Sequence, residues 1–297
     1  MNEHNYEEID FNPQEFMKIK SKKPLPRITK LILITLFCIT AFFIWNWHDN
    51  FKPKNLMVLD DFFLNIDKDE VMRLSKLLKP SSTNENEIKV FKFKYNDKDY
   101  KIKLNISSKL YLHFRDTRNL MDAKVWEKMV EEEKRKLFPS RYLYKPDWYY
   151  LLLLNNDLDI NIIDNIISKI NNLEDNLTDK QKVELATLFV QNIKYDLKVA
   201  HEVTFFPYET LYLQKGVCDD SSILLAKILS RMGYDVALIE MRSITHMAVG
   251  VKCRQPNLNL NGYCYIETTL PLSIGELPGP IGQANIIPVG SGKKIYN

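Results

Sequence analysis

The stretch that decides the fold reads GVCDDSSILLAKILSRMGYDVALIEM (216–241), continues RSITHMAVGVKC (242–253) and closes with GYCYIET (262–268). Cys218 is followed by Asp219, Asp220, Ser221 and Ser222, then by Ile223, Leu224, Ala226, Ile228 and Leu229. Those apolar residues recur at helical spacing and make a wide apolar surface. Gly216 and the small polar residues mark the start of that helix, and Gly233 marks its stop. Val236–Met241 reads as a strand. His246 opens a second strand, Met247–Cys253, and Tyr263–Glu267 is a third that ends in a carboxylate.

A thiol, an imidazole and a carboxylate therefore arrive in that order from three successive elements. Cys218 sits at or beside a helix N-terminus, where the helix dipole favours the nucleophilic thiolate. Alternation places His246, Ala248 and Gly250 on one strand face, and the small neighbours leave room for another element to reach the imidazole. A thiol needs a nearby imidazole for activation at neutral pH, and the imidazole needs a partner on its other nitrogen. Each residue alone has a plainer reading: a packing cysteine, a structural histidine, a solvated glutamate. The joint pattern carries the chemical one.

That pattern resembles the transglutaminase-like superfamily, in its prokaryotic membrane-anchored cysteine peptidase type. Gly216-Val217-Cys218-Asp219-Asp220 with its apolar helix is similar to the G-x-C-x-D nucleophile motif. His246 in His-Met-Ala-Val-Gly-Val and Glu267 in Tyr-Ile-Glu-Thr-Thr match the second and third positions. The likeness spans about residues 178–290. The family's usual third residue is Asp. Glu267 departs from that, and a small strand shift absorbs the extra methylene. The resemblance implies a papain-like α+β core, with the Cys218 helix packed on an antiparallel sheet. It implies that Cys218 attacks an amide carbonyl, that His246 is the base and that Glu267 orients it. The thioester would pass to water or to an amine. The oxyanion hole would use the Cys218 backbone N–H and a side-chain donor, with Gln191, Tyr195 and Gln214 as candidates. Gln191 and Tyr195 are four apart and would share a helix face. Asp220 falls on the family's aspartate and reads as structural, a carboxylate at the helix start.

Working outward, residues 160–173 and 179–194 read as helices. Val90 to Tyr95 and Tyr100 to Ile106 alternate apolar with charged residues around Asn96-Asp97, an antiparallel hairpin with one buried face. Leu110, Leu112 and Phe114 extend that strand pattern, and 121–137 reads as a charged helix. The aromatic run Tyr142, Tyr144, Trp148, Tyr149, Tyr150 reads as packing between subdomains, with a peptide or sugar groove as the alternative.

Residues 28–47, ITKLILITLFCITAFFIWNW, carry one charge, Lys30. Twenty helical residues rise about 30 Å, enough to cross a bilayer core. Trp45 and Trp47 close the run at the interface position. A cleaved signal peptide would lie nearer the N-terminus and end in small residues. Lys18, Lys20, Lys22, Lys23 and Arg27 precede the span, so the N-terminus is expected in the cytoplasm and the remainder outside. The expected organisation is a tail (1–27), an anchor (28–47), a strand-rich region (48–155) and a transglutaminase-like domain (156–297).

The net charge of +3, with no basic stripe, gives no nucleic-acid partner. Cys38, Cys218, Cys253 and Cys264 form no Cys-x-x-Cys pair, and the histidines form no His-x-x-x-His pair, so neither metal nor cofactor is expected. Regular strands would turn Cys253 and Cys264 away from the catalytic side, which leaves a disulfide between them open. The expected partner is a protein or a peptide-containing envelope polymer. The alternatives are a catalytically silent binding module and an assembly factor working through the aromatic run.

Overall fold

The computed structural model describes residues 85–128, 147–196, 204–257 and 260–295. All lie in one compact unit, 58–297. The tail and the candidate span 28–47 lie outside the described residues, as do Tyr142 and Tyr144. Among the described residues, no helix is long and apolar enough to cross a membrane.

Strands β1 (Asn86–Tyr95) and β2 (Lys98–Ser107) form the antiparallel hairpin, with Tyr95 opposite Lys98. Asn96 and Asp97 make the two-residue turn, both at positive φ (47° and 61°), the conformation that Asn and Asp tolerate best after Gly. Phe91, Phe93, Ile102, Leu104 and Ile106 bury one face. The Phe91 ring lies 4.9 Å from Phe189 of helix α4 (Asp179–Gln191).

The strand pattern does not continue through Leu110–Phe114. Helix α1 (Ser108–Lys128) begins directly after β2. Three alternating apolar residues fit either period. The longer spacing decides, because Phe114, Thr117, Arg118 and Met121 are all buried on one helical face. Helix α2 (Asp147–Leu154) follows, with Tyr149 and Tyr150 packed inward. Helix α3 (Ile160–Asn171) buries Ile163, Ile166 and Ile170. Helix α4 starts on a capping box in which Thr178 and Gln181 satisfy each other's backbone N–H groups.

Helix α4 stops at Gln191, short of the expected 194. The chain then forms β3 (Lys194–Tyr195), paired in parallel with β4 (Lys215–Gly216). Between them lies α5 (Pro207–Leu213). Helix α6 (Cys218–Arg231) follows, and Gly233 at φ 85° lies just beyond its end.

The main sheet has the order β7-β6-β5-β8 and is antiparallel throughout. Its strands are β5 (Val236–Met241), β6 (His246–Lys252), β7 (Tyr263–Ile266) and β8 (Asn285–Gly290). One face, with Leu238, Val249, Val251 and Ile266, joins the cluster that contains the apolar side of α6. The other face buries Ala237, Ile239, Ala248, Tyr263 and Tyr265 in a second cluster. Strand β5 is central and buried at all six positions, which is why its sequence is almost wholly apolar. The fold is α+β.

Candidate active site

Cys218 is the first residue of α6, and buried carboxylates hold that helix start and the start of α5 beside it. Asp220 is fully buried. Its Oδ2 accepts from the Val217 N–H at 2.9 Å and its Oδ1 from the Phe205 N–H at 2.7 Å. The first bond caps α6, and the second ties the start of α6 to the segment entering α5. Glu209 does the same for α5, accepting from the Phe206 N–H at 3.1 Å. Arg118 reaches Glu209 from α1, with Nε 3.1 Å from both carboxylate oxygens. A line of buried polar contacts thus runs from α1 to the nucleophile's turn.

Gly216 has a steric reason. A Cβ there would stand 2.8 Å from Asp220 Cβ and 3.0 Å from Asp220 Oδ2. Gly216→Ala is expected to push Asp220 off the Val217 N–H and cost about 1–3 kcal/mol. Urea unfolding measures that loss.

Glu267 follows β7 directly and is 1% exposed. Its Oε1 accepts from the Thr268 N–H (3.0 Å), the Thr269 N–H (2.9 Å) and the Thr269 hydroxyl (2.7 Å). Its Oε2 accepts from the Tyr265 hydroxyl (2.7 Å) and lies 2.9 Å from His246 Nε2. Burial pushes the carboxyl up, but the hydrogen bonds from His246, Tyr265 and Thr269 outweigh it and hold the pKa at about 2. An ionised carboxylate only accepts, so Nε2 carries the imidazole proton, and the other nitrogen, Nδ1, is the basic one.

The Cys218 thiol donates to Asp219 Oδ1 at 3.6 Å. Burial pushes its pKa well up, and the Asp219 charge adds to that. The main chain of Met247, the residue after His246, hydrogen-bonds the sulfur and pulls the other way. Burial and the Asp219 charge together outweigh the backbone bonds, so the thiol pKa lies above its ordinary value.

The fold brings His246 and Glu267 into direct contact and sets the strand that bears His246 against the sulfur of Cys218. Ala248 and Gly250, which share the His246 face, do not leave open room. A Cβ on Gly250 would lie 2.9 Å from Tyr263 Cβ, so the Tyr263 side chain of the neighbouring strand β7 fills the space over that position. The three side-chain donor candidates go to different places. Gln191 directs Nε2 to the backbone oxygens of Glu267 (2.8 Å) and Leu272 (3.4 Å), holding the chain after the carboxylate. Gln214 directs Nε2 to Val90 O at 2.9 Å, tying the end of α5 to the hairpin. Tyr195 is not on a helix with Gln191. It is 44% exposed on β3, opposite Gly216 and two residues before Cys218 in the paired register.

Sequence reasoning missed Tyr265, Thr269, Asp219 and Ser222. Tyr265 could have been found, because period two puts it on the same face as Glu267. Cys253 and Cys264 are joined in a disulfide on the sheet face opposite His246, and Cys218 is the free cysteine among the described residues. No group of His, Cys, Asp or Glu among the described residues could hold a metal ion.

Residues 160–262 match a family model described as a transglutaminase-like domain. The match runs from α3 into the loop after β6. It takes in Cys218 and His246 and ends five residues before Glu267. No curated protein matches the chain.

Proposed function

We propose that this chain, a member of the transglutaminase-like superfamily, is a thiol-dependent hydrolase or acyltransferase anchored in the membrane and acting outside the cytoplasm. The observation that carries the reading is Glu267. It is a buried carboxylate with four other hydrogen-bond donors, held ionised against His246 Nε2. Burying a charge is costly. This one is kept where it fixes the imidazole tautomer that leaves Nδ1 to accept a proton.

Cys218 Sγ attacks the carbonyl carbon of an amide, and its proton passes to His246 Nδ1. The tetrahedral oxyanion is met by the Cys218 backbone N–H at the start of α6. Tyr195 is the favoured side-chain donor, because the β3–β4 register places it opposite Gly216, two residues before Cys218. The imidazolium, stabilised by Glu267, returns the proton to the leaving amine, and a thioester remains on Cys218. Water releases it as an acid, or a second amine releases it as a new amide. The substrate is a protein or a peptide-containing envelope polymer. The apolar run 28–47 supports the anchor, and the Cys253–Cys264 disulfide favours an oxidising compartment.

The raised thiol pKa favours a rival reading, a catalytically silent binding module. Alkylation of the full-length chain by iodoacetamide at pH 7 separates the two. Under the catalytic reading, Cys218 labels faster than a cysteine in the urea-unfolded chain, and His246→Ala removes the excess. Labelling no faster than in the unfolded chain, with no change in His246→Ala, rejects catalysis.

A further inference from the structure

Ser222 lies one helical turn beyond Cys218, on the same face of α6. It is fully buried. Its Oγ donates to Met247 O at 3.0 Å and lies 3.1 Å from Thr268 Oγ1. Met247 follows His246, and Thr268 follows Glu267. One hydroxyl therefore touches the chain neighbour of two site residues from one turn beyond the third.

The direction of the chain of bonds follows from the donor count. A serine has one O–H, and a carbonyl only accepts. Ser222 gives its proton to Met247 O, so Thr268 must donate to Ser222. The sequence is Thr268 O–H to Ser222 O–H to Met247 O.

Buried hydroxyls inside helices commonly bond back to the carbonyl four residues earlier. Thr187 does so to Val183 O at 2.8 Å, and Thr210 to Phe206 O at 3.4 Å. Ser222 bonds across to the sheet instead. A residue that only filled space here would be better as alanine, which has the higher helix propensity and buries no polar group.

We propose that Ser222 and Thr268 are a positioning pair, which sets the register of the Cys218 helix against the strands of His246 and Glu267. Ser222 and Thr268 act through Cys218, His246 and Glu267. Proton transfer from thiol to imidazole tolerates little misplacement, and an error of about 1 Å can cost a hundredfold. The proposal rests on the thiol chemistry proposed above.

The test is the pH profile of Cys218 alkylation by iodoacetamide, on the full-length chain, with thermal unfolding of each variant alongside. Thr268→Val keeps the shape and loses the hydroxyl. Thr268→Ser keeps the hydroxyl and loses a methyl. Ser222→Ala removes the central group. The expected result is that Ser222→Ala and Thr268→Val lose about tenfold in rate at pH 7 and take on the profile of His246→Ala. Thr268→Ser keeps the wild-type profile. If Ser222→Ala does not fold, the two Thr268 variants decide. A wild-type profile in Thr268→Val, or equal losses in Thr268→Val and Thr268→Ser, overturns the positioning role and leaves the thiol reading standing. Identical profiles for the wild type and His246→Ala overturn both.

Discussion

Glu267→Gln is expected to slow alkylation of Cys218 at pH 7 on the order of a hundredfold, about as much as His246→Ala, without unfolding the protein. The loss comes from one atom. The amide oxygen can keep the three bonds from Thr268 and Thr269. The amide nitrogen then faces His246 Nε2 where a carboxylate oxygen stood. It donates, so Nε2 must become the acceptor, and the imidazole proton moves to Nδ1. The nitrogen needed as a base is then blocked, and the charge that stabilises the imidazolium is gone. Near-normal labelling in Glu267→Gln would remove Glu267 from the site.

The same residue sets an acid dependence. Its pKa of about 2 in the folded protein lies below its ordinary 4.5. Above about pH 4.5 the carboxyl is ionised in both states, and its contribution to stability is fully present. As the pH falls from there towards 2, the unfolded chain takes up a proton that the folded chain refuses, so stability is lost. The total is on the order of 3 kcal/mol. Urea unfolding between pH 5 and pH 3 should show the wild type losing its advantage over Glu267→Gln. A constant difference across that range contradicts the assignment.

Arg118→Ala is expected to cost about 3–5 kcal/mol, the range for breaking a buried ion pair from one side. The Arg118 side chain is 7% exposed and that of Glu209 is 0% exposed. Removing the guanidinium leaves a buried carboxylate that still accepts from the Phe206 N–H. Burial already pushes the Glu209 pKa up, with Arg118 opposing it. Without Arg118 the shift grows, and Glu209 takes up a proton more readily on folding. The variant should therefore recover part of its loss as the pH is lowered. The double variant Arg118→Ala/Glu209→Gln should be more stable than Arg118→Ala at pH 8. A loss under 1 kcal/mol in urea unfolding would show that the pair does not hold α5 and α6 in place.

Local period made much of this fold legible. The alternation from Phe91 to Ile106 needs one buried face, and Asn96-Asp97 supplies the only turn chemistry between its halves. The same logic separated α6 from β5, β6 and β7. It failed where short apolar runs fit two periods, as at Leu110–Phe114, and where a helix ends without a glycine or proline, as at Gln191. Tyr195 was placed on a helix for that second reason.

By itself, the sequence determined which residues bear the candidate chemistry, because Cys218 and His246 each open an element, and Glu267 directly follows one, whose type is set by nearby residues. Tertiary structure alone decided how they are held. Arg118 meets Glu209 across 91 residues, Ser222 meets Thr268 across 46, and Gln191 meets the Glu267 carbonyl across 76. It also decided the surroundings of Cys218, where burial and the Asp219 carboxylate push the thiol pKa up. The physical reason is common to these cases. A buried polar group must find a partner, and the partner is whichever group the packing brings near, at any distance along the chain.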